Sequence, residues 1–404
     1  MYTINTYQKN PYFREIDTII TSIIEINDKK ILTFDDTVFF PAGGGQSCDT
    51  GCMLKAGNIY YIEDVYEKDD QIFHVVKGDI AGVAEGDEVT LKIDWPVRFD
   101  NMQRHCGEHV LTGAFYRLYG GMNKGFHMGD DYITIDIAFP PVSSYDRVSW
   151  EMAEAAELEA NRVIWLDAPV TVDYFDTRDA AEKLPLRKPL AFDEDISIVT
   201  IGDKEKPLDC VACCGTHPSS TGQIGLIKIY KIEPNKGMSR IFFEAGQRAY
   251  AHYKNQFNCL YDLGNRLSAG YEDILDKYDA QLEKNQETRD RLHQLSCRYI
   301  DGQIAEILSD ISDGSSRSYE YDILTADDIL KIGKGIEDRV QAPVALVDSA
   351  SRTLFLFSDG TESCGQLIKA HAGDFGGRGG GRDKMARAVF PDMGSLHSFL
   401  KLIH

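Results

Sequence analysis

The sequence predicts an α+β protein with a β-barrel-like N-terminal domain, an α+β central domain, a helical arm and an α/β C-terminal domain. Short β-branched and aromatic runs, separated by Gly and Asp, dominate up to residue 95. Strand-like and helix-like segments then alternate to residue 250, and a helical pattern follows that contains no Gly or Pro between Glu272 and Asp301. The predicted domains are therefore 1–95, 96–250, 251–312 and 313–404.

The composition restricts the class of function. The chain has 404 residues, 43% of them hydrophobic, which is enough for several folded domains. Its 64 acidic and 43 basic residues give a net charge of −21, which argues against a general nucleic-acid binder, and any contact with a polyanion needs a local basic patch. Nine cysteines, an odd number spread over a long chain, favour reduced thiols and metal ligation over a disulfide framework.

The N-terminal domain is predicted to be a small barrel or sandwich. Its strands are expected at Ile31–Phe40, Ile59–Tyr66, Gln71–Val76 and Val89–Trp95. Three consecutive glycines, Gly43, Gly44 and Gly45, are followed by Gln46. Glycine permits positive φ and close approach of a ligand to the backbone, so this stretch predicts either a tight turn or a binding loop.

The central domain carries two pairs of metal-ligand residues. A helix is predicted from Arg98 to Tyr119, and on it His105 and His109 lie one turn apart on one face. Cys213 and His217 repeat the four-residue spacing. Three nitrogens and one thiolate suit tetrahedral zinc better than other common ions. The remaining elements are predicted as a strand, a helix that begins after the N-cap Ser149, and four further strands: Tyr132–Phe139, Ser149–Trp165, Val170–Phe175, Ile196–Ile201, Ile224–Ile232 and Arg240–Glu244.

The helical arm from about His252 to Leu308 shows apolar residues at spacings of three and four, with a polar break from Glu283 to Arg291. It predicts either a dimerisation or spacer arm, which would make the protein a homodimer, or a helical hairpin packed on its own domain.

The C-terminal domain is predicted to contain strands at Val344–Val347 and Thr353–Phe357 and helices at Ser363–Ala372 and Ser395–Ile403. Between these helices lies a glycine-rich segment, interpreted as a loop that leads into a helix N-terminus. Its cations are predicted to grip a phosphate backbone: Arg378, Arg382, Lys384 and Arg387.

Taken together and in order along the chain, the following motifs resemble the editing half of alanyl-tRNA synthetase and its free-standing relatives, the alanyl-tRNA editing proteins. Residues 37–51 resemble T-x-F-Y-P-E-G-G-G-Q-x-x-D-x-G, and residues 102–109 resemble M-Q-x-H-x-x-x-H. Residues 213–225 and 240–249 are similar to C-G-G-T-H followed by T-G-x-I-G and to R-[IV]-x-F-x-x-G-x-R-A, and 376–387 resembles the synthetase C-terminal domain. Ala42, Cys214 and the Cys106–Glu108 tripeptide depart from the family pattern.

The resemblance implies a deacylase of tRNA(Ala) wrongly charged with serine or glycine, with Zn²⁺ held by His105, His109, Cys213 and His217. The aminoacylation half would have to precede residue 37, so no tRNA charging is expected. For an ester already activated, a positioned water and oxyanion stabilisation are sufficient. We expect the glycines 43–45 and Gln46 to line the pocket, and Glu108 and Gln46 to be catalytic, Glu108 as general base.

Two alternatives remain open. The first is a tRNA-binding or regulatory protein with a structural zinc. The second is a metallopeptidase, since His105-Cys-Gly-Glu108-His109 fits H-x-x-E-H, although that class needs a downstream Glu as third ligand. The start of the sequence has no signal-peptide pattern and no later run approaches eighteen uncharged apolar residues, so we expect a cytoplasmic protein without a membrane span.

Overall fold

The computed structural model describes residues 5–27, 29–191, 193–311 and 316–403. The chain forms two compact units, Met1–Tyr261 and Asp262–His404. The predicted α+β class is confirmed by a closed barrel, several sheets and the helices around them. The four predicted domain ranges stay predictions, and the boundary between 312 and 313 lies outside the described residues.

The first unit begins with a closed antiparallel barrel of strand order β1-β2-β5-β4-β3-β6, preceded by the short helix α1 (Thr6–Lys9). The predicted N-terminal barrel is therefore confirmed. The strands are β1 (Glu15–Ile26), β2 (Lys29–Phe34), β3 (Gly51–Lys55), β4 (Asn58–Lys68), β5 (Gln71–Val76) and β6 (Glu88–Ile93). The sequence missed β1 and β3. Alternating buried residues such as Leu32, Met53 and Leu91 fill the barrel interior.

The helix α2 (Trp95–Tyr119) follows the barrel and occupies the centre of the first unit. Every residue from Arg104 to Phe115 is buried. Other elements therefore pack against every side of α2. Gly107 allows one of them, the strand that ends at Ala245, to approach the helix closely. A Cβ on Gly107 would lie 2.6 Å from the Cβ of Ala245, so glycine lets the neighbouring strand end approach the helix.

Two antiparallel sheets and a helix surround α2. The four-stranded sheet has the order β12-β13-β8-β7 and the three-stranded sheet has the order β11-β10-β9. Their strands are β7 (Met122–Met128), β8 (Ile133–Ala138), β9 (Val170–Thr177), β10 (Glu194–Gly202), β11 (Pro207–Ala212), β12 (Ile227–Asn235) and β13 (Met238–Ala245). The helices are α3 (Trp150–Trp165), α4 (Arg178–Ala181) and α5 (Gly246–Leu267). Ser149 caps α3 as predicted, because its side chain accepts a hydrogen bond from the Met152 amide.

The second unit contains a five-stranded sheet of order β14-β15-β16-β18-β17 with helices on both faces. Its elements are α6 (Ile274–Asp310), β14 (Arg317–Tyr321), α7 (Ala326–Ile336), β15 (Val344–Asp348), β16 (Thr353–Phe357), α8 (Cys364–His371), β17 (Arg378–Gly381), β18 (Met385–Val389) and α9 (Met393–Ile403). The interpretation of the glycine-rich segment as a loop leading into a helix was wrong. It forms the hairpin β17–β18, whose glycines allow the two strands to lie against each other and against α8.

Among the described residues, the helices are all too short or too polar to cross a lipid bilayer.

The barrel is joined to α2 by the buried ion pair between Arg98 and Asp49, both fully inaccessible. Arg98 also donates hydrogen bonds to the carbonyls of Pro11 and Val38, and Asp49 accepts one from the Phe40 amide at 2.6 Å. Removing one partner of such a pair leaves an uncompensated buried charge, whereas the intact pair is neutral and fully hydrogen-bonded.

We expect Asp49→Asn to destabilise the protein by about 3–5 kcal/mol, because the guanidinium of Arg98 keeps its charge in a buried site. Equilibrium urea unfolding of the full chain measures the change. The matched control is Glu15→Gln, which breaks the exposed Glu15–Lys92 pair and should cost less than about 1 kcal/mol. Equal effects of the two substitutions would contradict this account of the barrel–helix junction.

Candidate metal centre

The structure brings the four predicted ligands together, although the two pairs are more than a hundred residues apart. The candidate ligand atoms of His105, His109, Cys213 and His217 all lie within 4.8 Å of one another. The Sγ of Cys213 is 3.2 Å from Nε2 of His105 and 3.7 Å from Nε2 of His217, and the Nε2 atoms of His217 and His109 are 3.2 Å apart. Usual zinc bond lengths place tetrahedral ligand atoms about 3.3–3.6 Å apart, so the donor set fits one zinc ion.

The four side chains come from elements of different rigidity. His105 and His109 lie on the buried part of α2. Cys213 directly follows β11, and its amide donates to the Ser197 carbonyl at 3.0 Å while its carbonyl accepts from the Ser197 hydroxyl at 2.6 Å. His217 lies in the irregular segment after β11, but the residue is only 3% exposed. Three ligands are therefore fixed by regular structure or paired backbone, and the fourth by a loop.

His105 is oriented by Gln46. The Oε1 atom of Gln46 lies 2.7 Å from Nδ1 of His105 and accepts the Thr216 amide at 3.1 Å, while its Nε2 donates to the Thr216 hydroxyl at 2.9 Å. With Nδ1–H donating to this oxygen, Nε2 of His105 is free for a metal. The side-chain amide of Gln46 is thus buried and occupied by protein partners, which is the arrangement of a positioning residue.

His109 is oriented by a carboxylate that the sequence analysis did not identify. Nδ1 of His109 lies 3.3 Å from Oδ2 of Asp209, and Arg187 holds the same carboxylate through Nε at 2.6 Å and Nη2 at 3.2 Å. All three side chains are buried. Burial alone would raise the pKa of Asp209, but Arg187 and His109 lower it, so Asp209 is held as a carboxylate.

The surroundings of Cys213 favour its thiolate, the form that binds metals. Burial raises the pKa of a thiol, but His105, His109 and His217 together bring the pKa of Cys213 well below its ordinary value. For the imidazole of His109 the effect of burial has the opposite sign and lowers the pKa, but the nearby Cys213 and Asp209 raise that pKa to about 10. The neighbouring Cys214 behaves differently, since burial and the adjacent Cys213 raise its pKa to about 11. The geometry places Cys213, and not Cys214, in the ligand cluster, and the directions of the two pKa shifts agree with that assignment.

Glu108 lies beside the ligand cluster on α2. Its Oε1 atom accepts hydrogen bonds from the Thr112 hydroxyl at 2.7 Å and the Asn123 amide at 2.6 Å, and its Oε2 accepts none from the described residues. Burial raises the pKa of Glu108, but His109, Arg187 and Thr112 bring it below the ordinary value. Glu108 is therefore a carboxylate with one oxygen unengaged by protein.

The three glycines form a tight turn at the edge of the site, and their role in binding stays a prediction. Gly43 and Gln46 exchange backbone hydrogen bonds at 2.9 and 3.1 Å around Gly44 and Gly45, whose φ values are 59° and 86°. A Cβ on Gly45 would lie 2.5 Å from the Phe126 ring, which stacks on His105 at a centroid distance of 5.3 Å. The amides of Gly44 and Gly45 donate to no acceptor among the described residues.

The predicted tRNA-binding cations lie in the second unit, on and beside the β17–β18 hairpin. Arg378 opposes Val389, and Gly380 opposes Arg387, so the Arg378 and Arg387 side chains share one face. Gly380 leaves that face open, since a Cβ there would meet nothing within 4 Å. Lys384 is paired with Asp338 at 2.6 Å, whereas the described residues offer Arg378 and Arg382 no ion-pair partner.

The chain is similar in sequence to several known protein families and proteins. Residues 196–242 match the threonyl and alanyl tRNA synthetase second additional domain, and residues 7–97 match the class II (A) tRNA synthetases. The chain is 29% identical over 402 residues to the alanyl-tRNA editing protein AlaX-L of Pyrococcus horikoshii, covering 94% of this chain and 93% of that protein.

Alanine–tRNA ligases are also similar to the chain. The ligase of Pyrobaculum calidifontis is 27% identical over 394 residues, which is 96% of this chain and 42% of the ligase. The ligase of Pyrococcus abyssi is 28% identical over 420 residues, which is 99% of this chain and 44% of the ligase. The chain therefore spans less than half the length of these ligases.

Proposed function

Because this chain is a relative of the alanyl-tRNA editing proteins along nearly its whole length, we propose that it is a zinc-dependent deacylase of tRNA(Ala) mischarged with serine or glycine. The observation that carries the proposal is the convergence of His105, His109, Cys213 and His217 on one point inside the region that matches the alanyl-tRNA editing protein. The peptidase alternative required a Glu as third ligand, and the structure offers Cys213 and His217 beside the two helical histidines instead.

A zinc ion held by these four residues would supply a positive charge that polarises the ester or lowers the pKa of a water. In this proposal the protein residues stabilise the developing negative charge and position the attacking water. The amides of Gly44 and Gly45, which have no acceptor among the described residues, would donate to the ester oxygen as negative charge develops on it. Glu108, through its unengaged oxygen, takes the proton of the attacking water or orients that water. Gln46 acts indirectly, by holding His105 and Thr216.

Selectivity against the correct product, alanyl-tRNA, requires more than pocket size. A cavity alone separates substrates that differ by one small group by about 10–200-fold, so a polar contact to the serine hydroxyl is needed. Asn123 donates a hydrogen bond to Glu108, which lies next to His109 on α2, and we propose this pair as the source of that contact. Since Glu108 stands in the tripeptide that departs from the family pattern, the order of serine and glycine has to be measured.

We expect the zinc-loaded protein to release serine or glycine from tRNA(Ala) and to spare alanine, and His105→Ala to be inactive because it loses a metal ligand. Glu108→Gln keeps the shape of the side chain, so it should retain zinc while deacylation falls by about 10²–10⁴-fold if Glu108 transfers the proton. The rate of release of radiolabelled amino acid measures both. Stoichiometric zinc and tRNA binding without turnover would instead favour the binding-protein alternative, and full activity of Glu108→Gln would remove Glu108 as base.

The β17–β18 hairpin is proposed as the contact to the tRNA backbone. Its open face carries Arg378 and Arg387, and Arg382 is exposed at the hairpin turn. In a protein of net charge −21, such a local group of cations is what binding to a phosphate backbone requires. Arg387 lies over the Phe355 ring at 5.4 Å, which holds its guanidinium on that face.

We expect Arg378→Ala and Arg382→Ala each to weaken tRNA binding and to reduce the salt slope of the binding constant by about one unit, because each removes one phosphate contact. Zinc content should stay unchanged. Lys401→Ala, which removes an exposed cation from α9, is the matched control and should have little effect. Binding curves at several salt concentrations decide the matter, and unchanged affinity in both arginine variants would discard this role of the hairpin.

The helical arm is proposed as a homodimer contact. The long helix α6 continues through the polar segment predicted to interrupt it, and its large apolar residues recur mostly every three or four positions while remaining exposed. These residues are Leu275, Tyr278, Leu282, Leu292, Leu295 and Tyr299. Such a stripe on a helix is stable in water when a second copy covers it.

We expect Leu292→Glu combined with Leu295→Glu to convert a dimer into a monomer, because both side chains, 64% and 62% exposed, would be charged in the interface. Gln286→Glu in the polar segment of the same helix is the control and should leave the dimer intact. Sedimentation velocity measures the mass, and a monomeric unmodified protein at micromolar concentration would end this proposal.

A further inference from the structure

The four candidate ligands differ in how firmly the protein supports them. Two of the three histidines have a partner for the ring nitrogen that faces away from the cluster: His105 has Gln46 at 2.7 Å, and His109 has Asp209 at 3.3 Å. Nδ1 of His217 is buried and has no hydrogen-bond partner among the described residues. Such partners fix a histidine ligand in orientation and increase its basicity, so His217 is the most weakly supported of the three.

The backbone shows the same difference independently. His105 and His109 belong to the hydrogen-bonded helix α2, and both backbone groups of Cys213 are paired with Ser197. The amide and carbonyl of His217 make no backbone hydrogen bond with the described residues. The segment around it is neither helix nor strand. Movement of His217 away from the cluster would therefore break no secondary-structure hydrogen bond.

The proposed deacylase function, on which this inference rests, requires a zinc ion with one position open to water or substrate. A ligand that can leave the ion would provide that position. Four protein ligands complete a tetrahedron, whereas catalytic zinc sites keep three protein ligands and leave one position for water or substrate. We propose that His217 is the exchangeable ligand of this site: it yields its position when the ester substrate enters, while His105, His109 and Cys213 hold the ion throughout. Asp209 and Arg187 act in this scheme as positioning residues that keep His109 in place.

Metal binding by full-length single-site variants, without any tRNA, tests the inference. His217→Ala should still bind one zinc, because three protein ligands hold the ion in catalytic zinc sites, and its affinity should fall by a smaller factor than that of His109→Ala. His109→Ala should lose far more affinity, because it removes one of the three permanent ligands. Asp209→Asn, which keeps the size of the side chain but removes its charge, should weaken zinc binding by about 10–100-fold as well. Circular dichroism on each variant checks that it is folded.

Cobalt replacement adds a readout that a purely structural role would not change. The visible spectrum of cobalt-loaded His217→Ala should shift when imidazole is added, because the small molecule fills the vacated position, and should then approach that of the unmodified protein. His109→Ala should not be restored in this way. The proposal would be overturned if His217→Ala lost zinc as completely as His109→Ala. It would also be overturned if added imidazole left the spectrum of cobalt-loaded His217→Ala unchanged. A failure of deacylation in the unmodified protein would overturn the proposed function and leave these metal titrations interpretable.

Discussion

The candidate metal centre depends on the attachment of one helix to one barrel segment at two points. Asp49 pairs with Arg98, and Gln46, from the same segment, holds His105 about two turns further along α2. Because the residues of each pair face each other across the barrel–helix junction, a shift of the helix would disturb both contacts together. The buried ion pair thus fixes the depth and rotation of α2, and the positions of His105 and His109 follow from it.

The charged groups around the four ligands contribute to the centre in addition to the packing. Cys213 faces three histidines, which favour its thiolate, and the Arg187–Asp209 pair supplies a charged acceptor to one of them. The cluster therefore combines one anionic ligand with imidazoles whose Nε2 atoms point inward, the donor set that zinc prefers. Glu108 adds a buried carboxylate next to His109 on α2, and the amides of Gly44 and Gly45 have no acceptor among the described residues; the proposed ester hydrolysis would use the first as an acceptor and the second as donors.

The parts of this arrangement that repeat locally were predictable from sequence. The spacing of His105 and His109 predicts a shared helix face, and the Gln71–Val76 strand and the Ser149 cap follow from local pattern. The joining of Cys213 and His217 to that face was inferred from their matching spacing and their zinc-type donor atoms, and the resemblance implied the same four ligands; no local rule by itself joins residues a hundred positions apart. Asp209, Arg187 and Asn123 were missed because their roles exist only through tertiary contacts. Strand β17 was missed because three of its four residues are glycine, a weak strand former.

X-ray absorption at the zinc edge of the purified full-length protein tests the central claim most directly. Our account predicts one zinc per chain, surrounded by three nitrogen atoms at about 2.0–2.1 Å and one sulfur atom at about 2.3 Å. A site without sulfur, one with two sulfur atoms, or a protein that takes up no zinc would contradict the assignment of His105, His109, Cys213 and His217 as its ligands.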